Sequence, residues 1–193
     1  MLLRFTITLL LSIFCLATPA RADFQAGVDA YERKDYATVL RELRPLAEQG
    51  DAVAQFYLGL MYDGGYGVPQ DYATAWGWYE KAAVQGNVLA QVALGRMYYD
   101  GRGVPEDNQL ALRWFRLAAN KGNAIAQKQL GSMYENGIAV PRDLIEAHKW
   151  YNLAGANGNK LGAEFRELLA LEMTPAQIAE AHKRAREWKP IKK

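Results

Sequence analysis

Apolar and polar positions along this chain follow two nested intervals. Within short stretches the period is that of a helix: Leu58, Met61 and Tyr62 stand at i, i+3 and i+4, on one face of a helix from Ala52 to Tyr62. Over the longer range whole motifs return every 36 residues, as with Gly50, Gly86, Gly122 and Gly158. Leu58-Gly59, Leu94-Gly95 and Leu130-Gly131 align at that interval, followed by Met61-Tyr62, Met97-Tyr98 and Met133-Tyr134. Val-Pro pairs at 68, 104 and 140 come next, then Asp71, Asp107 and Asp143, and the aromatic pairs at 78–79, 114–115 and 150–151. A period between about 20 and 50 residues marks stacked supersecondary units that bury their apolar faces against one another.

Each unit reads as two helices. The first ends at glycine-containing segments such as Gly64-Gly65-Tyr66-Gly67 and Asn136-Gly137, because glycine enters the left-handed region without a Cβ penalty. The second starts after Val-Pro, with Asp71, Asp107 or Asp143 capping its free N–H groups and Glu146 completing a capping-box spacing with Asp143. Gly59, Gly95 and Gly131 fall inside helices, where glycine costs about 1 kcal/mol relative to alanine. Their recurrence predicts close approach of the partner helix around Ala75, Ala111 and Ala147. The aromatic pairs are read as core filling between hairpins, since buried aromatics dominate core energetics.

The expected architecture is all-α: an α/α superhelical solenoid of stacked antiparallel helix hairpins, with about ten helices in five hairpins. Its segments are a capping hairpin over 23–50, repeats over 51–86, 87–122 and 123–158, a partial repeat with a capping helix over 159–188, and a solvated basic tail over 189–193. In the final helix Thr174 is the N-cap and Pro175 the first residue, with Ile178, Ala181, Ala185 and Trp188 on one side.

Residues 1–22 read as a secretory signal. Arg4 precedes an apolar run from Phe5 to Ala17, and Ala20-Arg21-Ala22 offers a small-x-small cleavage site ahead of Asp23. Export to the periplasm or beyond the cell is therefore expected, without stable membrane insertion after cleavage. The single cysteine, Cys15, lies within that run, so the mature chain has no disulfide, thiolate metal site or cysteine nucleophile.

The 193 residues are 50% hydrophobic and 23% charged, which suits a folded chain and not a disordered one. The formal charge of +2 disappears with Arg4 and Arg21, leaving no general attraction to nucleic acid.

The motifs Ala-x-Ala-Gln, Leu-Gly-x-Met-Tyr, Gly-Val-Pro-x-Asp and Trp-Tyr-x-x-Ala-Ala-x-x-Gly, in three full copies over residues 51–158, resemble the Sel1-like repeat, a relative of the tetratricopeptide repeat. Two departures are Ala139, where Gly67 and Gly103 stand in the other loops, and Gly155 in place of an alanine. The resemblance implies an adaptor or scaffold engaging other proteins, often exported in bacteria and linked to signalling, the envelope or host contact. The alternative it raises is a β-lactam-binding or β-lactamase-like hydrolase, but such relatives carry a disulfide in each repeat.

No catalytic motif, metal cluster or cofactor signature stands out. His148 and His182 fall on different helices far apart in sequence, and the glycine-rich loops lack a Gly-Lys-Ser/Thr signature. The partner is accordingly expected to be a protein or peptide, with weak self-association as an open alternative.

The first helices of such an array line its inner curve, and positions that vary between copies there are free of framework demands. These form columns that include Phe56/Val92/Lys128, Tyr57/Gln129, Leu60/Arg96/Ser132 and Tyr99. The expectation is a groove with Phe56, Tyr57 and Leu60 as apolar anchor, and Arg96 and Lys128 meeting an acidic group. Packing of Phe56 and Leu60 against the N-terminal hairpin is the competing reading.

Overall fold

A computed structural model describes residues 23–191; the expected signal segment, Cys15 and the last two lysines lie outside them. Among the described residues there are ten helices and no strand: α1 (Phe24–Glu32), α2 (Tyr36–Glu48), α3 (Ala52–Gly64), α4 (Tyr72–Val84), α5 (Val88–Asp100), α6 (Asn108–Asn120), α7 (Ala124–Asn136), α8 (Leu144–Ala156), α9 (Lys160–Ala170) and α10 (Pro175–Glu187). Up to α9, each helix packs chiefly on its chain neighbours, the one-dimensional logic of a solenoid.

Local chemistry sets the boundaries. Asp71, Asp107 and Asp143 cap α4, α6 and α8, each side chain accepting from backbone N–H groups of the first turn. The first helices have their own ladder of caps at the same interval: Asp51, Asn87, Asn123 and Asn159. At the far ends of α3, α5 and α7, Gly65, Gly101 and Gly137 take φ of 67°, 64° and 69°. Ala139 holds the same left-handed conformation, at φ 59°, that Gly67 and Gly103 adopt in the preceding loops, so the loop shape persists without its glycine.

Three expectations are corrected. The partner approaching Gly59, Gly95 and Gly131 is not the Ala75 column but an aromatic ring, that of Tyr79, Phe115 or Tyr151. A Cβ on Gly95 would stand 2.6 Å from a ring carbon of Phe115, so glycine is what lets a fully buried ring lie flat on the first helix of its own hairpin. Glu146 does not close a capping box: Asp143 N–H already donates to Tyr134 O, and Glu146 pairs with Lys149 at 3.0 Å and Arg184 at 2.8 Å. Finally, the last two helices, α9 and α10, do not pair chiefly with each other as a fifth hairpin. The helix α10 packs mainly along α8, with Ala181 beside Ala147 and Tyr151, and Trp188 edge-on to Trp150 at 6.1 Å. The chain beyond it is anchored too, since Ile191 N–H donates to Asn120 O at 2.7 Å.

The Ala-Gln motif joins one unit to the next. Gln55, Gln91 and Gln127 are buried, and each Nε2 donates to a carbonyl near the end of the preceding second helix: Ala47 O, Ala83 O and Ala119 O. Each of these carbonyls also accepts from the N–H of the following glycine, Gly50, Gly86 or Gly122, so the glutamine amide adds a second bond to the same oxygen. The glutamine bonds also fix how each first helix sits on the hairpin before it.

Candidate binding face

The first helices α3, α5, α7 and α9 stand side by side, and three depressions run along the face they form. The first is lined by Val53, Phe56 and Tyr57 of α3 with Val88 and Leu89 of α5. The second lies between Arg96, Ile125, Lys128, Gln129, Asn159 and Leu161, and the third between Ser132, Glu135, Tyr151, Phe165 and Leu168.

The residues expected from sequence fall into distinct environments along this face. Phe56 and Leu60 are half-buried and pack forward, onto the cluster of Ala75, Tyr79 and Leu94, not backward onto the N-terminal hairpin. Tyr57 does turn backward, edge-on to Tyr31 at 5.1 Å. Val92 is only 6% exposed and belongs to the core with Phe115 and Leu130, so it supports the face from beneath instead of lining it. Its branched apolar side chain is what that core position requires. Tyr99 packs half-buried on the same core, whereas Arg96 is exposed and Lys128, Gln129 and Ser132 are half-buried.

The electrostatics change along the face. Burial and the neighbouring Arg96 guanidinium both push the Lys128 ammonium below the usual lysine range. Neither cation enters an ion pair among the described residues. Further along, Glu135 accepts a 2.6 Å bond from the Tyr151 hydroxyl, and burial with this bond holds that phenol protonated. The corresponding Tyr79 hydroxyl reaches Asp63 at 3.3 Å, and Asp63 is bridged to Arg102 at 3.4 Å.

A further column on this face was overlooked in the sequence. Val53, Leu89, Ile125 and Leu161 recur at the 36-residue interval and are 41%, 51%, 45% and 51% exposed. The signal was visible as an aliphatic residue in every copy, but invariance between copies reads as a demand of the core. Only burial distinguishes the two.

The histidines, far apart in sequence, meet on the other side of the array. Their rings stand edge-on at 5.1 Å between α8 and α10, with Asn152 Nδ2 3.5 Å from His182 Nδ1 and Arg166 donating to Asn152. His148 is 1% exposed, its Nδ1 has no hydrogen-bond partner, and desolvation first, then His182 and Arg166, push it down to about 4. A neutral, closed-off imidazole with no nucleophile beside it is a packing element. No group of three or more His, Cys, Asp or Glu side chains that could hold a metal occurs among the described residues.

A comparison with family models matches the Sel1 repeat over residues 52–87, 88–123 and 124–159, more than half of the chain. The chain belongs to the Sel1 repeat family. Sel1 repeat proteins generally serve as scaffolds for protein–protein interaction. Among solved structures it is similar to a Sel1 repeat protein from Oxalobacter formigenes, at 32% identity and a TM-score of 0.72, over 76% of this chain and 60% of that one. It is also similar to c5321, a protective antigen present in uropathogenic Escherichia coli strains displaying an SLR fold, at 35% identity and a TM-score of 0.69, over 86% of this chain and 38% of that one. The chain thus spans less than two thirds of the length of either relative. A search of curated proteins gives no match. No helix among the described residues is long and apolar enough to cross a membrane.

Proposed function

We propose that this Sel1 repeat chain is an exported, non-catalytic scaffold that holds a segment of another protein on the face of α3, α5, α7 and α9. The observation that carries the reading is the unpaired cation pair of Arg96 and Lys128, set beside exposed Ile125 and Leu161 in one depression. Two like charges held together without a carboxylate cost energy in the free protein, and an acidic group on a partner relieves it. The layout of residues 1–22, a basic residue, an apolar run and a small-x-small site, supports export. Hydrolysis of a β-lactam is the weaker reading, because no cysteine follows Cys15 to form the disulfides of such relatives and His148 is enclosed with no nucleophile beside it.

Site-specific photo-crosslinking tests the face. A crosslinker at position 96 or 129 is expected to trap a discrete extracytoplasmic protein. One at Arg41, exposed on α2, is expected not to, and Lys128→Glu should abolish the adduct. Equal adducts from position 41, or adducts indifferent to Lys128→Glu, would refute the assignment. Export is checked separately by the mass of the mature chain, which should begin at Asp23.

A further inference from the structure

The second helices carry a face of their own, and at the end of the array the fold shows what covers it. The helix α10 lies along α8, where Arg184 pairs with Glu146 at 2.8 Å and the His182 ring stands edge-on to His148 at 5.1 Å, with Asn152 Nδ2 3.5 Å from His182 Nδ1. In that layer Leu153 is 8% exposed. One repeat earlier, 36 residues back, α6 carries Leu110, Leu112, Arg116 and Leu117 in place of Glu146, His148, Asn152 and Leu153. These four line one depression on α6, together with Arg113. Here Leu117 is 40% exposed, and both arginines are exposed. The same face is buried under a helix in one unit and open in the unit before it.

We propose that the α6 depression docks an amphipathic helix of another protein as α8 docks α10, with an acidic residue where α10 has His182 and an aliphatic one where it has Arg184. The apolar part of the contact follows α10 itself, whose Ala181 and Ala185, one turn apart, are buried in the clusters of Tyr151 and of Trp150 and Leu153. The charges follow α6. This helix has two arginines one turn apart and no acidic residue, and neither arginine enters an ion pair among the described residues. A carboxylate facing Arg116 gains a charge-assisted bond, whereas a cation facing Leu110 loses the partner that Glu146 gives Arg184. The helix α10 of a second copy is therefore a poor occupant, since Lys183, Arg184 and Arg186 would approach Arg113 and Arg116. The existing layer already reaches this depression: Ile191 N–H donates to the carbonyl of Asn120, which is part of its lining.

The probe is a fluorescein-labelled peptide of residues 174–188 carrying His182→Glu and Arg184→Leu, titrated with the mature protein and read by anisotropy. Saturable binding is expected, at least tenfold tighter than that of the unaltered peptide and weakened at least tenfold by Leu117→Ser. The protein variant Arg116→Glu should reverse the preference, favouring a peptide with His182→Lys and Arg184→Leu over the acidic one. A reversal separates lost charge matching from lost fold, and unchanged far-UV circular dichroism checks Leu117→Ser. The proposal is overturned by absence of saturable binding, by equal binding of the unaltered peptide, by indifference to Leu117→Ser, or by failure of Arg116→Glu to reverse the preference. It is equally overturned if the protein alone forms a dimer that Arg113→Glu disperses, because the occupant is then a second copy. Crosslinks at positions 96 and 129 report on the first helices alone, so the two faces stand or fall separately.

Discussion

Gly95→Ala probes the packing device on which each hairpin depends. In an exposed helix the change would gain about 1 kcal/mol from helix propensity. Here the new Cβ would lie 2.6, 2.7 and 3.0 Å from three ring carbons of Phe115, about 1 Å inside the ~3.5–4.0 Å optimum for carbon contacts. The ring is 0% exposed and rigid, so it has nowhere to retreat without moving α6 off α5. Overpacking of this kind costs about 1–3 kcal/mol, and a stiff buried ring places the cost near the upper end. The net expectation is a loss of about 2 kcal/mol, which for a chain of this size lowers the melting midpoint by roughly 4–8 °C. Gly77→Ala is the internal comparison: that glycine lies mid-helix in α4 with nothing within 4 Å of an added Cβ, and its replacement should stabilise by about 1 kcal/mol. Urea unfolding followed by far-UV circular dichroism reads both. Coupling is checked by adding Phe115→Ala to Gly95→Ala, where the losses should sum to less than their separate values. A Gly95→Ala protein as stable as its parent would refute the ring-on-glycine account.

Two further predictions concern buried polar groups. His148 titrates near its ordinary 6.5 when unfolded and at about 4 when folded, so between those values the unfolded chain binds the proton and the folded chain does not. Stability is therefore full above about pH 6.5 and falls as the pH drops toward 4, by at most about 3 kcal/mol from this group; His148→Leu, the residue at the matching position 112, should flatten that part of the profile in urea titrations. In the first and third units an amide donates to the clamp glutamine, Gln85 to Gln55 at 2.8 Å and Asn157 to Gln127 at 2.9 Å, but the equivalent Lys121 turns to Gly86 O and leaves Gln91 Oε1 buried without a partner. Lys121→Gln should supply the missing donor and raise stability by about 0.5–1.5 kcal/mol, read as a shift in urea midpoint at constant slope.

Much of this molecule follows from local sequence. The aspartate caps, the left-handed glycines at 65, 101 and 137 and the 36-residue interval determine where helices start, stop and repeat, because each is a property of a few adjacent residues. The cationic pair on the first helices was legible as well, since Arg96 and Lys128 stand in columns that the framework leaves free. What the sequence could not decide was which side of a repeated residue meets water. Val92 and Leu89 are both aliphatic on α5, yet one is core and the other stands in the exposed column, and only the stacking of neighbouring units separates them. The meeting of His148 with His182, and the path of α10 along α8, belong to the end of the array. There α10 lies along α8, burying Ala181 against Ala147 and Tyr151, a contact between residues 30 or more apart that no local pattern specifies.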